Sequence, residues 1–185
     1  MSRYIEKAEP QVLPLVALRG VVPFPGITVN CEVEKDCFHS HTAAQRAASV
    51  GDYVLLCPLL DMAEPATGDP AVTMLCPVGT VAYIKQLIMD PEGGVRIVAE
   101  GKCRAMLTSI EDKGEYTAAS VIAKTIVTED NGGLAGEAYL REAIKLLRHI
   151  VRYIPAVADD IINHALTIRN PGLFADFVAS NILVR

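Results

Sequence analysis

The run Asp90-Pro91-Glu92-Gly93-Gly94, set between two stretches rich in β-branched residues, limits the possible folds of this chain more than any other feature. Proline presets the φ of one turn residue, and the glycines accept positive φ, so the chain reverses here as a hairpin. Ahead of it, residues 80–89 carry apolar groups on both faces, which predicts a strand covered on both sides. After it, Val95, Ile97 and Ala99 alternate with Arg96 and Glu100. Gly101 interrupts the pattern as a bulge or sharp bend would. A third strand then places Cys103, Ala105 and Leu107 opposite Lys102 and Arg104. Three consecutive antiparallel strands over residues 77–107 predict a small, curled β domain.

The upstream chain adds to that sheet. Residues 1–11 read as a lead-in, and residues 12–18 are an apolar run that predicts a first strand. In Arg19-Gly20-Val21-Val22-Pro23-Phe24-Pro25-Gly26, two prolines flank Phe24 and remove two backbone donors. A central strand is excluded there, and Phe24 sits on a stiff loop. Ile27, Val29, Cys31 and Val33 alternate as a second strand. Asp36 is placed to cap a helix running to Val50, with Phe38, Thr42, Gln45 and Ser49 on one side. Ala43, Ala44, Ala47 and Ala48 give that helix a face for close packing, and Gly51 ends it. Residues 53–60 predict another buried strand, and residues 61–73 a polar, mobile loop. Gly114 turns the chain into a last strand over residues 116–127.

The pattern then changes. Thr128-Glu129-Asp130-Asn131-Gly132-Gly133-Leu134-Ala135-Gly136 is polar and glycine-rich, and marks a boundary. Residues 1–128 form a β-rich subdomain, 129–136 a linker and 137–185 a helical subdomain, which makes the fold class α+β. In the helical part Leu140, Ala143, Ile144, Leu147, Ile150, Val151 and Ile154 recur at helical spacing. Arg141, Lys145, Arg148 and Arg152 share another face at the same spacing. Pro155 suits the first turn of a second helix, with Val157, Ile161, Ala165 and Ile168 as its stripe. Asn170-Pro171 caps and opens a third, whose apolar side is Leu173, Phe174, Phe177, Val178 and Ile182. The apolar ending Ile182-Leu183-Val184-Arg185 predicts that the natural chain continues.

Composition excludes several classes of function. A net charge of −5 argues against a nucleic-acid partner, because neutralising phosphates requires a basic balance. No apolar run approaches the roughly 20 residues that span a bilayer. The first residues lack the apolar core of a signal peptide. An odd count of 5 scattered cysteines fits a reducing, cytoplasmic setting.

Few residues suggest catalysis. Cys37 and His41 stand four apart near His39, but a zinc site needs about four ligands and no second cluster exists, so these read as structural. His149 and His164 read as polar-face residues. Gly101-Lys102-Cys103 is a near miss for a phosphate loop: Arg96 stands where glycine belongs and Cys103 where Ser or Thr does. Serine-hydrolase, zinc-protease and dinucleotide fingerprints are absent from the sequence. No catalytic, metal or cofactor-binding residue is assigned. Two contact candidates remain. One is the loop of Pro23, Phe24 and Pro25 with Ile27, where Phe24 either plugs the core or meets a partner. The other is the charged face of Arg141, Lys145, Arg148 and Arg152, either solvated or a partner face.

The ordered blocks resemble a known family. Leu13-Pro14-Leu15-Val16-Ala17-Leu18-Arg19-Gly20-Val21-Val22-Pro23-Phe24-Pro25-Gly26 is similar to the opening of the N-terminal, substrate-binding domain of ATP-dependent proteases of the Lon (La) type. So are Val78-Gly79-Thr80-Val81-Ala82, the Asp90–Gly94 hairpin run, and Val98-Ala99-Glu100-Gly101-Lys102-Cys103-Arg104-Ala105. Ala17 and Asn30 depart from the pattern, standing where family members often carry proline, which bears on loop geometry. The resemblance implies a PUA-like β pseudo-barrel with one helix, followed by the start of a helical bundle. It implies a non-catalytic fragment that recognises unfolded or tagged protein substrates and helps assemble the ring of the parent protease. ATP and magnesium, and a Ser-Lys dyad outside these residues, would belong to the parent. The alternative is a free-standing PUA-like protein that binds RNA or a small ligand.

Overall fold

The computed structural model describes residues 3–6, 10–60, 74–127, 133–153 and 159–183. The expected loop over 61–73 and the helix start at Pro155 lie outside them. The chain divides into two compact units, Glu6–Thr125 and Met1–Ile5 with Ile126–Arg185.

Seven strands form one mixed sheet: β1 (Arg3–Glu6), β2 (Gln11–Leu18), β3 (Thr28–Val33), β4 (Tyr53–Pro58), β5 (Val78–Met89), β6 (Val95–Asp112) and β7 (Thr117–Val127). Helix α1 (Phe38–Val50) lies between β3 and β4 in sequence. The order is β1-β7-β2-β4-β5-β6-β3, and β7 also pairs with β6, so the ladder returns on itself. β1 replaces part of the expected lead-in. β2 and β4 pair in parallel, from Leu15↔Leu55 to Leu18↔Pro58, whereas β2 with β7, β3 with β6, β4 with β5, β5 with β6 and β6 with β7 are antiparallel.

Burial on both faces explains the apolar runs. In β4, Val54 and Leu56 join one core with Val16, Leu18, Ile97 and α1, while Leu55 and Cys57 join another with Leu13, Leu15, Val81 and Val121. Successive strand side chains point to opposite faces, so one strand feeds both cores and must be apolar at consecutive positions. Ala43, Ala44 and Ala47 are fully buried on the face of α1 that was expected to pack closely. Phe38, Gln45 and Ser49 are exposed.

Three expectations are corrected. The strands separated at Gly101 are one strand, β6, running through Gly101. The irregularity falls beside it: Val81 pairs with Cys103 and Ala82 with Gly101, leaving Lys102 as the extra residue of a bulge. The N-cap of α1 is Cys37, not Asp36, and its side chain makes no capping bond. The linker stretch is partly helical, because α2 (Gly133–Ile150) begins inside it. The hairpin forms as the sequence predicts: Asp90 N–H donates to Gly94 O at 2.8 Å, and Gly93 takes φ 94°.

The helical unit contains α2, a 3₁₀ turn (Val151–Tyr153), α3 (Asp159–Thr167), α4 (Pro171–Val178) and a π turn (Ala179–Leu183). Asn170 caps α4, its Oδ1 accepting from Gly172 N–H at 2.9 Å and Leu173 N–H at 3.1 Å, with Pro171 in the first turn. Leu140, Leu147, Ala165 and Phe174 form the core of this unit. Leu173, expected on the apolar side, is 47% exposed.

Candidate functional site

The loop after β2 is held by backbone-directed bonds. Thr80 Oγ1 donates to Pro23 O at 2.8 Å, and both residues are buried. Gly26 N–H donates to Gly101 O at 2.9 Å, and Gly101 N–H donates to Ile27 O at 3.0 Å. A Cβ at Gly101 would overlap the Phe24 carbonyl oxygen, so only glycine lets the loop lie this close to β6. Pro23 and Pro25 stiffen the same stretch by fixing φ. The position of the loop is therefore set by β5 and β6, the strands around the hairpin.

That anchoring leaves the loop side chains part open. Phe24, Pro25 and Ile27 are half-buried, and Val22 is 46% exposed. Phe24 belongs to none of the core clusters formed by the described residues. The Arg104 guanidinium lies 5.8 Å from its ring centroid, within cation–π reach. Val22, Pro23, Phe24, Leu60, Val78 and Arg104 line a groove of about 340 Å³. An apolar groove with a cation at its wall suits an apolar group.

The basic stripe of α2 lies in the other unit. Arg141, Lys145, Arg148 and Arg152 are all exposed. Arg141 pairs with Glu137 at 3.2 Å and Lys145 with Glu142 at 3.1 Å. Exposed pairs of this kind contribute about 0.3–0.5 kcal/mol each. A second groove, about 370 Å³, runs between α2 and α4 and is lined by Tyr139, Leu140, Ala143, Leu147, Phe174 and Val178.

The residues that resembled chemical sites have local structural roles. His41 Nε2 lies 2.9 Å from Val33 O, and His39 Nδ1 lies 3.1 Å from Thr117 Oγ1. Among the described residues no three ligating side chains gather as a metal site. Burial pushes the Cys31 thiol up to about 11. Burial, followed by the nearby Cys76, pushes Cys57 up to about 12. Neither is a thiolate near neutral pH, so neither is a ready nucleophile. Tyr53 and Tyr83 meet edge to face at 6.1 Å on the sheet surface. The adjacent cations are engaged, Lys102 with Glu100 at 2.6 Å and Lys85 with Glu100 at 2.9 Å. The two lysines hold the Glu100 carboxyl down near 2, Lys102 contributing first.

Sequence reasoning missed the residues that support the loop. Thr80, Gly101 and Arg104 hold or flank it, but their roles depend on long-range contacts. It also missed Arg19, whose Nε and Nη2 are buried with no hydrogen-bond partner among the described residues. Leaving such charged donors unpaired costs more than the about 1–3 kcal/mol of a neutral group. With Ala17, Glu32, Val33, Glu34, Cys37 and Leu59, Arg19 lines a recess of about 240 Å³.

Residues 12–185 match the model of the ATP-dependent protease La (LON) substrate-binding domain. The Lon protease of Desulforamulus reducens is 27% identical over 178 residues, covering 96% of this chain and 21% of that protein. The Lon protease of Geobacter metallireducens is 30% identical over 175 residues, covering 94% and 20%. The chain thus spans about a fifth of the length of the curated relatives it matches. Its fold is similar to the N-terminal domain of the Mycobacterium avium complex Lon protease, with TM-score 0.68 and 21% identity, over 95% of this chain and 85% of that one. The hairpin, the Pro23–Gly26 run seated on Gly101 and the helices after the sheet thus occur along one continuous match, and the chain belongs to the family of ATP-dependent protease La (Lon) substrate-binding domains.

Proposed function

We propose that this chain recognises client polypeptides for an ATP-dependent protease, and contributes to assembly of its ring, without itself catalysing a reaction. The observation that carries the reading is the Pro23–Ile27 loop: its backbone is fixed by Thr80 and Gly101, while Phe24 stays part open beside a groove. Unfolded clients expose apolar side chains that folded proteins bury, so a fixed apolar contact sorts one from the other. Pro23, Phe24, Pro25 and Ile27 are the client-contact residues in this reading. Arg141, Lys145, Arg148 and Arg152 form the face toward other subunits, where Arg148 and Arg152 have no ion-pair partner among the described residues.

The finer architecture belongs to the same proposal. The strand circuit is a PUA-like pseudo-barrel, and the helices after it are the start of a bundle, with the boundary near residues 129–136. The parent enzyme supplies ATP, magnesium and a Ser-Lys dyad from residues outside this chain, in a reducing cytoplasm that suits five free cysteines. RNA binding by the sheet face is disfavoured, because Lys85 and Lys102 are both committed to Glu100.

Photo-crosslinking tests the contact. A photoreactive phenylalanine analogue replacing Phe24 should capture reduced, denatured lactalbumin, and the same analogue replacing exposed Ser49 should not. Equal yields at the two positions would sink the assignment.

A further inference from the structure

β3 ends one side of the sheet. It pairs with β6 from Thr28↔Glu100 to Val33↔Val95, and with no other strand among the described residues. Gly101 N–H donates to Ile27 O, and Gly26 N–H donates to Gly101 O, so Gly26 and Ile27 form a bulge opposite Gly101. Antiparallel ladders alternate, so Val29, Cys31 and Val33 bond toward β6. The backbone N–H and C=O groups of Thr28, Asn30 and Glu32 then point to the open edge. Their side chains are exposed. No proline or lysine, the usual guards of such an edge, stands in this strand.

The end of the same strand walls the recess that holds Arg19. Glu32, Val33 and Glu34 line one part, and Ala17, Arg19 and Leu59 line another. The unpaired atoms of Arg19, Nε and Nη2, form the side-on fork of the guanidinium, whose two parallel donors match the two oxygens of a carboxylate. The Glu32 carboxylate is directed elsewhere: its Oε1 lies 3.8 Å from where a Cβ on Gly94 would be. The edge calls for an extended backbone, and the fork beside it calls for an acidic group.

Resting on the client-recognition reading, we propose that β3 takes an extended client segment as an added strand, with an Asp or Glu side chain of that segment closing the fork of Arg19. Backbone bonding to Thr28, Asn30 and Glu32 supplies affinity for any sequence. Arg19 supplies a preference for one acidic position, and the Phe24 groove supplies a separate apolar contact.

Fluorescence anisotropy with the 185-residue chain tests this. The probe is a labelled peptide of about ten alternating valine and threonine residues with one central glutamate. N-methylation of alternate amides on the bonding side should abolish binding, and methylation of the other set should leave it unchanged. Replacing the glutamate by glutamine should weaken binding roughly tenfold, as loss of a charge-assisted pair does. Arg19→Gln should remove that preference while leaving the glutamine peptide unaffected. If both methylated sets bind like the parent while denatured lactalbumin is still captured, the edge proposal is overturned and client recognition stands. If neither peptide nor lactalbumin binds, both are overturned. The methylation arm uses the unaltered protein, so a folding defect in Arg19→Gln cannot mask the result.

Discussion

The two units solve the burial problem to different degrees. In Glu6–Thr125 the strands lose their large apolar side chains from water almost completely: Val54, Leu55, Leu56, Val95 and Ile97 are all at 0% exposure. Among the described residues of the helical unit, Leu140, Leu147, Ala165 and Phe174 form the buried cluster, while Leu134 is 86% exposed, Tyr139 75% and Leu146 61%. A ladder that returns on itself completes its cores from its own strands, whereas the described helices α2 to α4 leave large apolar side chains exposed. The comparison places the more complete burial in the β unit, and leaves exposed apolar surface on the helical unit.

Truncation of core residues should break this comparison if it is wrong. Ile97→Ala removes a fully buried side chain from a core enclosed by sheet and α1, and should cost about 3–5 kcal/mol. Leu147→Ala, in the smaller helical core, should cost about 2–3 kcal/mol. Urea unfolding followed by far-UV circular dichroism measures both. A larger loss for Leu147→Ala would reverse the ranking of the units.

Gly101→Ala sharpens the same point at the loop. The added methyl overlaps the Phe24 carbonyl, so the loop or β6 must shift, at about 1–3 kcal/mol. Amide chemical shifts should change at Thr80, Gly26 and Ile27, and remain unchanged across α2 to α4. An unperturbed loop would mean that the close approach does not hold it.

How much of this was legible in the chain depended on whether the cause was local. The Asp90–Gly94 turn, the Asn170-Pro171 cap and the left-handed Gly51 follow from the chemistry of adjacent residues, and the structure has them. The apolar run of β4 was legible because covered strands tolerate nothing else. The bulge expected at Gly101 is present beside it, but the strand runs on through it, and the reason for that glycine is Phe24, far away in sequence. Arg19 gave no signal, since its missing acceptor is a property of the folded recess. The cap of α1 was misassigned to Asp36 because propensity favours aspartate, while the turn geometry placed Cys37 there. The loop of Pro23, Phe24 and Pro25 stood out in the sequence, but whether Phe24 faced in or out required the strands around it.

The smallest effect is electrostatic. Glu100 is held near 2 by Lys102 and Lys85, so its folded-state value lies below the unfolded one. Its contribution is complete above the ordinary carboxylate range and disappears as pH falls from about 4.5 toward 2. Carbon-detected NMR titration of the Glu100 side chain should show that low midpoint, and Lys102→Met should raise it. One molar salt should raise it as well, because exposed pairs are screened.

The central claim is that the β unit presents Phe24 rather than consuming it, and Phe24→Ala tests it most directly when stability and capture are measured on one preparation. The account predicts an unfolding midpoint within the range of surface changes, about 0.5 kcal/mol, together with a loss of denatured-lactalbumin capture of tenfold or so. A drop of several kcal/mol with capture per folded molecule unchanged would contradict it, returning Phe24 to the core and the client site to another surface.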